Sequence, residues 1–233
     1  TTSDFFDPVI KLKQLFAQLI DADDFNRIAN IPSVSYGMSV VANNITLNKG
    51  DEIVLIEEQF PSNYYAWEKL ATKHEAIIRI VKQPKNKENK GKLWNEAILN
   101  SINDKTALIA LGNIHWANGT IFNLKAIREK TREYNALLII DGSQSVGAMK
   151  FSIKEIQPDA LICAGYKWLF GPYGCSYAYF GEYFDNGEPI EENWSNRFNS
   201  ENLSDLINYE PRYKPLANRY SVGEQGSFIH IQM

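Results

Sequence analysis

The sequence predicts an α/β fold: a three-layer α/β/α sandwich built on a mainly parallel, mixed sheet. Short apolar runs rich in β-branched residues alternate with stretches long enough for a helix, and parallel strands need such crossovers. The intervening stretches are amphipathic at helical spacing, so helices cover both faces of the sheet. Charged residues stand at the ends of two apolar runs: Asp141 closes "ALLIID" and Lys167 closes "DALICAGYK". Ligands of open α/β sheets bind beyond the carboxyl ends of the strands, so these two positions point to a site.

Taken in order, residues 7–22 ("DPVIKLKQLFAQLIDA") form the first predicted helix, with Asp7 as N-cap and Pro8 at the first helical position. A polar, proline-containing stretch leads to a second helix over "SYGMSVVANNITLN" (35–48). Strand 52–56, helix 62–74 and strand 76–81 follow, then a solvated lysine-rich loop over 83–92. "LWNEAILNSI" is a helix, "TALIALGNI" (106–114) a strand, and "NLKAIREKTREYN" an amphipathic helix with favourable i,i+4 charges. "ALLIID", "DALICAG" and "CSYAYF" complete the predicted strands, and the direction of the last is left open. After Phe184 the pattern loosens into a polar region.

Composition narrows the function. At 233 residues, with 44% hydrophobic and 22% charged residues, the chain can bury a substantial globular core. A net charge of -4 without a basic, aromatic-interleaved run argues against nucleic acid as a partner. No apolar stretch reaches the length of a membrane span, and "TTSDFFDPVIKLKQLF" lacks the form of a secretory signal, so a cytoplasmic location is expected. Cys163 and Cys175 lack metal spacing and are expected to be buried, reduced thiols. His74, His115 and His230 are scattered, and no metal site is expected.

The chemistry is narrowed by elimination. "GSQSVG" departs from a nucleophile elbow, because Ser143 stands where the first glycine should be. Neither a P-loop nor a dinucleotide fingerprint occurs. Asp141 and Lys167 form either an ion pair or the two ends of a clamp on an aldehyde cofactor, and buried ion pairs are poor stabilisers. Pyridoxal phosphate (PLP) needs an amine for its aldehyde and a carboxylate that keeps its ring nitrogen protonated. It also needs a flat group over the ring and backbone amides for the phosphate. Lys167 lies among Tyr166, Trp168, Leu169 and Phe170, an apolar neighbourhood expected to favour the neutral, nucleophilic amine.

The stretch "DGSQSVGA…AGYKWLFGPYG" resembles the class V aminotransferases of the fold-type I PLP enzymes, a group that includes cysteine desulfurases and kynureninases. The resemblance covers about residues 32–226 and implies the aspartate aminotransferase-like large domain. It implies that Lys167 is the Schiff-base lysine and moves the Cα proton, that Asp141 pairs with the ring nitrogen, and that Gln144 contacts the ring hydroxyl. Phe60 falls at the ring-stacking position, where desulfurases carry histidine and kynureninases phenylalanine. Ser35 and Tyr36 match the phosphate-binding turn, Ser35 standing equally as an N-cap. Tyr166 matches a tyrosine whose hydroxyl reaches the phosphate in kynureninases.

Departures accompany the match. Trp116 replaces an asparagine of desulfurases and is counted with the cofactor-binding residues, while His115, Trp116 and Asn118 are expected on the substrate side. "RYSVGEQG" matches a segment that crosses to the partner's cofactor in relatives, with Glu224 in place of the usual hydroxyl residue. Residues 1–233 are expected to be one PLP-binding large domain, without the relatives' N-terminal segment and C-terminal small domain. The expected activity is transamination of an amino acid by a homodimer. A kynureninase-like or desulfurase-like lyase is the alternative, and a catalytically silent binding protein with this fold is a third reading.

Overall fold

The computed structural model describes residues 2–86 and 88–223. Helix α1 (Thr2–Leu19) leads into strand β1 (Ile28–Ile31) and helix α2 (Val34–Asn43). Next come β2 (Glu52–Ile56), α3 (Tyr65–His74), β3 (Ile77–Val81), α4 (Lys90–Ser101) and β4 (Thr106–Gly112). Then α5 (Leu124–Glu133), β5 (Leu137–Asp141), the single turn α6 (Ile153–Ile156), β6 (Ala160–Ala164) and β7 (Ser176–Phe180) follow.

The strands form one seven-stranded sheet in the order β1-β7-β6-β5-β4-β2-β3. β2 to β6 run parallel through successive neighbours, whereas β7 is antiparallel to both β6 and β1. The short connection from β6 to β7 leaves no room for a crossover helix, which resolves the direction left open above. Alternate side chains divide between two cores. Val54, Leu111, Ile140 and Leu161 pack under α1, α4 and α5. Ile53, Leu108, Ile139 and Ile162 pack under α2 and α3. This is the expected three-layer sandwich. Both cysteines are buried and neither is in a disulfide. Among the described residues no helix is long and apolar enough to cross a membrane.

Several boundaries differ from the sequence reading. α1 starts at Thr2 and carries Pro8 inside it, so Asp7 is not its cap. Proline removes one internal hydrogen bond there. Contacts of Phe5 and Phe6 with Trp194, ring centres 5.5 and 6.0 Å apart, anchor the extra turns. α2 starts one residue before the predicted 35 and ends at Asn43, and its cap is Ser33, whose hydroxyl accepts the Tyr36 N–H at 3.2 Å. Ser35 is therefore inside the first turn and not the N-cap. β1 lies in the stretch read as polar; "IANI" is too short to show a period, and pairing with β7 alone makes it a strand. Beyond Phe184 the chain runs back over β1, where the Val222 N–H reaches Asn30 O at 3.0 Å.

Candidate functional site

β3 pairs on one side of β2 and β4 on the other, so the chain reverses its direction of travel across the sheet at β2. At such a switch point the loops leaving the carboxyl ends separate and open a crevice. Gln59 and Phe60 follow β2, Gly112 ends β4 with Ile114, His115 and Trp116 beyond it, Asp141 ends β5, and Lys167 lies three residues past β6. With Ser143 and Gln144 these residues line one narrow cleft of about 20 Å³.

Asp141 is only 8% exposed. Its carboxylate accepts the Ser143 N–H at 3.0 Å, and among the described residues no cation comes within 4.0 Å. Burial raises its pKa above the usual carboxylate range, opposed by hydrogen bonds from Ser143 and by the more distant charge of Lys167. The Asp141–Lys167 ion pair is thus not made. Instead Lys167 Nζ stands over the Phe60 ring, 5.3 Å from its centre. Trp116 meets the edge of Phe60 at 5.5 Å and donates its indole N–H to Glu58 O at 2.7 Å. The Gln144 amide, half-buried in the cleft, makes no protein hydrogen bond among the described residues.

The loop conformations follow from local chemistry. Ser143 ties the β5 and β6 ends together, because its hydroxyl accepts the Ala164 N–H at 3.0 Å. Gly147, at φ +95°, lets the Asp141 loop rest on the backbone after Lys167; a Cβ there would lie 2.4 Å from Trp168 O. Lys167 opens a turn closed by the Phe170 N–H at 3.0 Å, with Phe170 at φ +55° in the left-handed region. Bulky residues rarely adopt that conformation without a reason.

The remaining candidates are placed differently. Ser35 is exposed and pairs with the Ser33 hydroxyl at 2.9 Å. The Tyr36 hydroxyl is buried without a partner, and burial, then Glu191, pushes its pKa up to about 12. Neither lines the Lys167 cleft. Tyr166 stacks on Tyr173 at 4.2 Å, with its ring centre 6.0 Å from Lys167 Nζ. Asn118 is exposed and does not line the cleft, its side chain accepting the Thr120 N–H at 3.1 Å. His115 is buried in the cleft wall, its Nε2 3.2 Å from Glu57 O and its Nδ1 without a partner. The apolar neighbourhood expected for Lys167 is not closed: Tyr166, Trp168 and Phe170 are exposed, Phe170 by 87%. Successive residues of a tight turn cannot all fold onto one lysine. Glu224 and His230 lie outside the described residues. Gln59, whose Nε2 donates to Ala110 O at 3.0 Å, and Ser143 escaped the sequence reading. Their signal was adjacency to Phe60 and Asp141.

These residues fit PLP. A buried carboxylate without a cation is costly, and a protonated ring nitrogen would supply the missing partner. Phe60 offers a flat face and Lys167 the amine.

Comparison with known proteins bears on the family and the fold. The "Probable cysteine desulfurase" of Staphylococcus epidermidis is 26% identical over 215 residues, 91% of this chain and 49% of that protein. The "Uncharacterized aminotransferase YcbU" of Bacillus subtilis is 26% identical over 217 residues, 93% of this chain and 54% of that protein. Among solved structures, the apo cysteine desulfurase of Thermococcus onnurineus NA1 superposes with a TM-score of 0.81 at 21% identity, covering 97% of this chain and 55% of that one. The cystine C-S lyase C-DES in complex with its product cysteine persulfide reaches 0.83 at 21% identity, covering 95% and 57%. At such identities these structures show the fold alone. The chain spans about half the length of the relatives it matches. The "Aminotransferase class-V" family matches residues 2–191, so the chain belongs to the class V aminotransferase family.

Proposed function

We propose that this chain holds PLP and acts on an amino acid as a desulfurase-like lyase, in preference to the transamination that the sequence first suggested. The observation that carries the cofactor reading is the convergence of Asp141, Gln144, Phe60 and Lys167 in one cleft without an Asp141–Lys167 ion pair. Desulfurase-like chemistry is favoured because probable cysteine desulfurases recur among the curated relatives, while the aminotransferase among them is uncharacterised.

Bound in the cleft, PLP would withdraw electrons from the amino-acid Cα, easing loss of its proton and cleavage of the bond between Cβ and its substituent. Lys167 Nζ would hold the aldehyde end of the cofactor and would also be the group that takes and returns the Cα proton. Asp141 holds the charged ring nitrogen in a site where burial strengthens the pairing. Phe60 would offer its flat face to the ring, and Trp116, edge-on to Phe60, would limit water on that side. The Gln144 amide is available to the ring hydroxyl. α2 begins beside the carboxyl ends of β1 and β6, so the N-terminal amide of Ser35, which its cap leaves open, is suited to the phosphate together with the Tyr36 and Tyr166 hydroxyls. The exposed aromatics after Lys167 are suited to a homodimer interface that closes the site.

Borohydride reduction of the PLP-loaded full-length protein, followed by peptide mapping, tests the attachment. The label is expected on Lys167, and a label on any other lysine defeats the reading. Alanine from cysteine, with the sulfur passed to a supplied thiol as a persulfide, supports the desulfurase-like activity, whereas amino transfer from the amino acid to a supplied keto acid returns the reading to transamination. Alanine from kynurenine instead supports the kynureninase-like lyase that Phe60 and Tyr166 suggest.

A further inference from the structure

A second cavity, of about 330 Å³, lies between α1 and the returning 195–221 segment and shares no residue with the Lys167 cleft. Phe5, Phe6, Phe25 and Phe198 form much of its wall, and its charged lining residues are Lys13, Lys214 and Glu201. The two lysines differ. Lys214 pairs with Glu201 at 2.6 Å and lies over the Phe6 ring at 5.0 Å. Lys13 is 5% exposed, and the partner of its Nζ is a neutral amide, Asn218 Oδ1 at 2.8 Å. Among the described residues no carboxylate lies within 4.0 Å of it.

A buried amine with no counter-ion is costly, and a leucine or methionine at this position of α1 would pack at no such cost. Burial, then the Lys214 charge, lowers the Lys13 pKa to about 7, so an anion arriving in the cavity would bring back both the proton and the charge. A second polar imbalance adjoins it. Ser221 lines the cavity and accepts the Asn30 N–H at 3.3 Å, while both polar atoms of the Asn30 amide are buried without a partner. One uncompensated cation matches a single negative charge, and the phenylalanines match an apolar body.

We propose that this cavity binds a small monocarboxylate with an aromatic or apolar body, its carboxylate on Lys13 and its body among the phenylalanine rings. The site is independent of the PLP reading, since it uses none of the same residues. Calorimetric titration of the full-length holoenzyme with 3-phenylpropionate tests it. One saturable site is expected, with affinity falling about tenfold from about pH 6 to about pH 8 as Lys13 gives up its proton. Lys13→Met should weaken binding at least tenfold, and 3-phenylpropan-1-ol should give no saturable heat. Phe198→Ala, at the exposed rim, should weaken binding several-fold, and it decides the question if Lys13→Met fails to fold. The absorbance of the Lys167-bound cofactor should be unchanged in both folded variants. Absence of saturable binding overturns the proposal, as does binding that is independent of pH. Heat that survives Lys13→Met or Phe198→Ala undiminished would place the ligand elsewhere, and would also overturn it.

Discussion

Asp141 is held at a cost to the fold. Its folded pKa lies above the ordinary carboxylate value, so the folded chain binds this proton more tightly than the unfolded chain. Stability linked to Asp141 is therefore greatest at low pH and falls as pH rises from about 4 through the raised value. Asp141→Asn should stabilise the cofactor-free protein at neutral pH by about 1–3 kcal/mol. In thermal melts that advantage should vanish below about pH 4, and cofactor colour should be lost at all pH values. A destabilised Asn variant at pH 7 would mean that the carboxylate has a structural partner. Phe60→Ala tests the stacking face. With a half-buried ring, it should lower cofactor affinity by about three- to tenfold, the equivalent of about 0.5–1.5 kcal/mol, and move the melting temperature little.

At the scale of elements, what matters is how loops are held at the carboxyl edge of the sheet. Gly147 combines positive φ with contact against the backbone that follows Lys167. Gly147→Ala should separate the Asp141 and Lys167 loops, costing about 1–3 kcal/mol in denaturant titrations and abolishing cofactor binding. Gly37 has a different reason: a Cβ there would lie 2.7 Å from both Ile162 and Ile31, so its absence lets α2 sit close over β1 and β6. The α2 cap separates two serines. Ser33→Ala should cost about 1 kcal/mol, whereas Ser35→Ala, exposed within the first turn, should alter stability little and phosphate affinity more. Chemical denaturation of the two variants side by side checks this.

For the whole molecule, the exposed aromatics beyond β6 carry the expectation of a dimer. Phe170 is 87% and Tyr173 79% exposed, and Phe170 in addition holds a strained backbone angle. Phe170→Gly relieves the strain, so the variant should fold at least as stably as the parent, yet weaken self-association in sedimentation by about tenfold or more. Cofactor affinity should fall with it. An unchanged association constant would remove these aromatics from any interface.

The layered fold, the strands β2 to β7 and the placement of Asp141 and Lys167 just beyond strand ends were legible because each rests on local order: apolar runs of strand length, helical periodicity, and charges at strand ends. Phe60, Gln144 and Trp116 came from a resemblance, and the structure brings them into the same cleft. β1 was not legible, since four residues carry no period and become a strand only on meeting β7. The α1 start was misjudged because proline reads as a boundary when the rings that hold the turn before it are distant in sequence. The exposure of the residues around Lys167 also depends on folding, because a turn decides which way each side chain points. The chain's own residues determined which chemical groups are present and in what order. Tertiary structure alone decided which of them meet, because pairing, capping and burial are contacts between segments far apart in the chain.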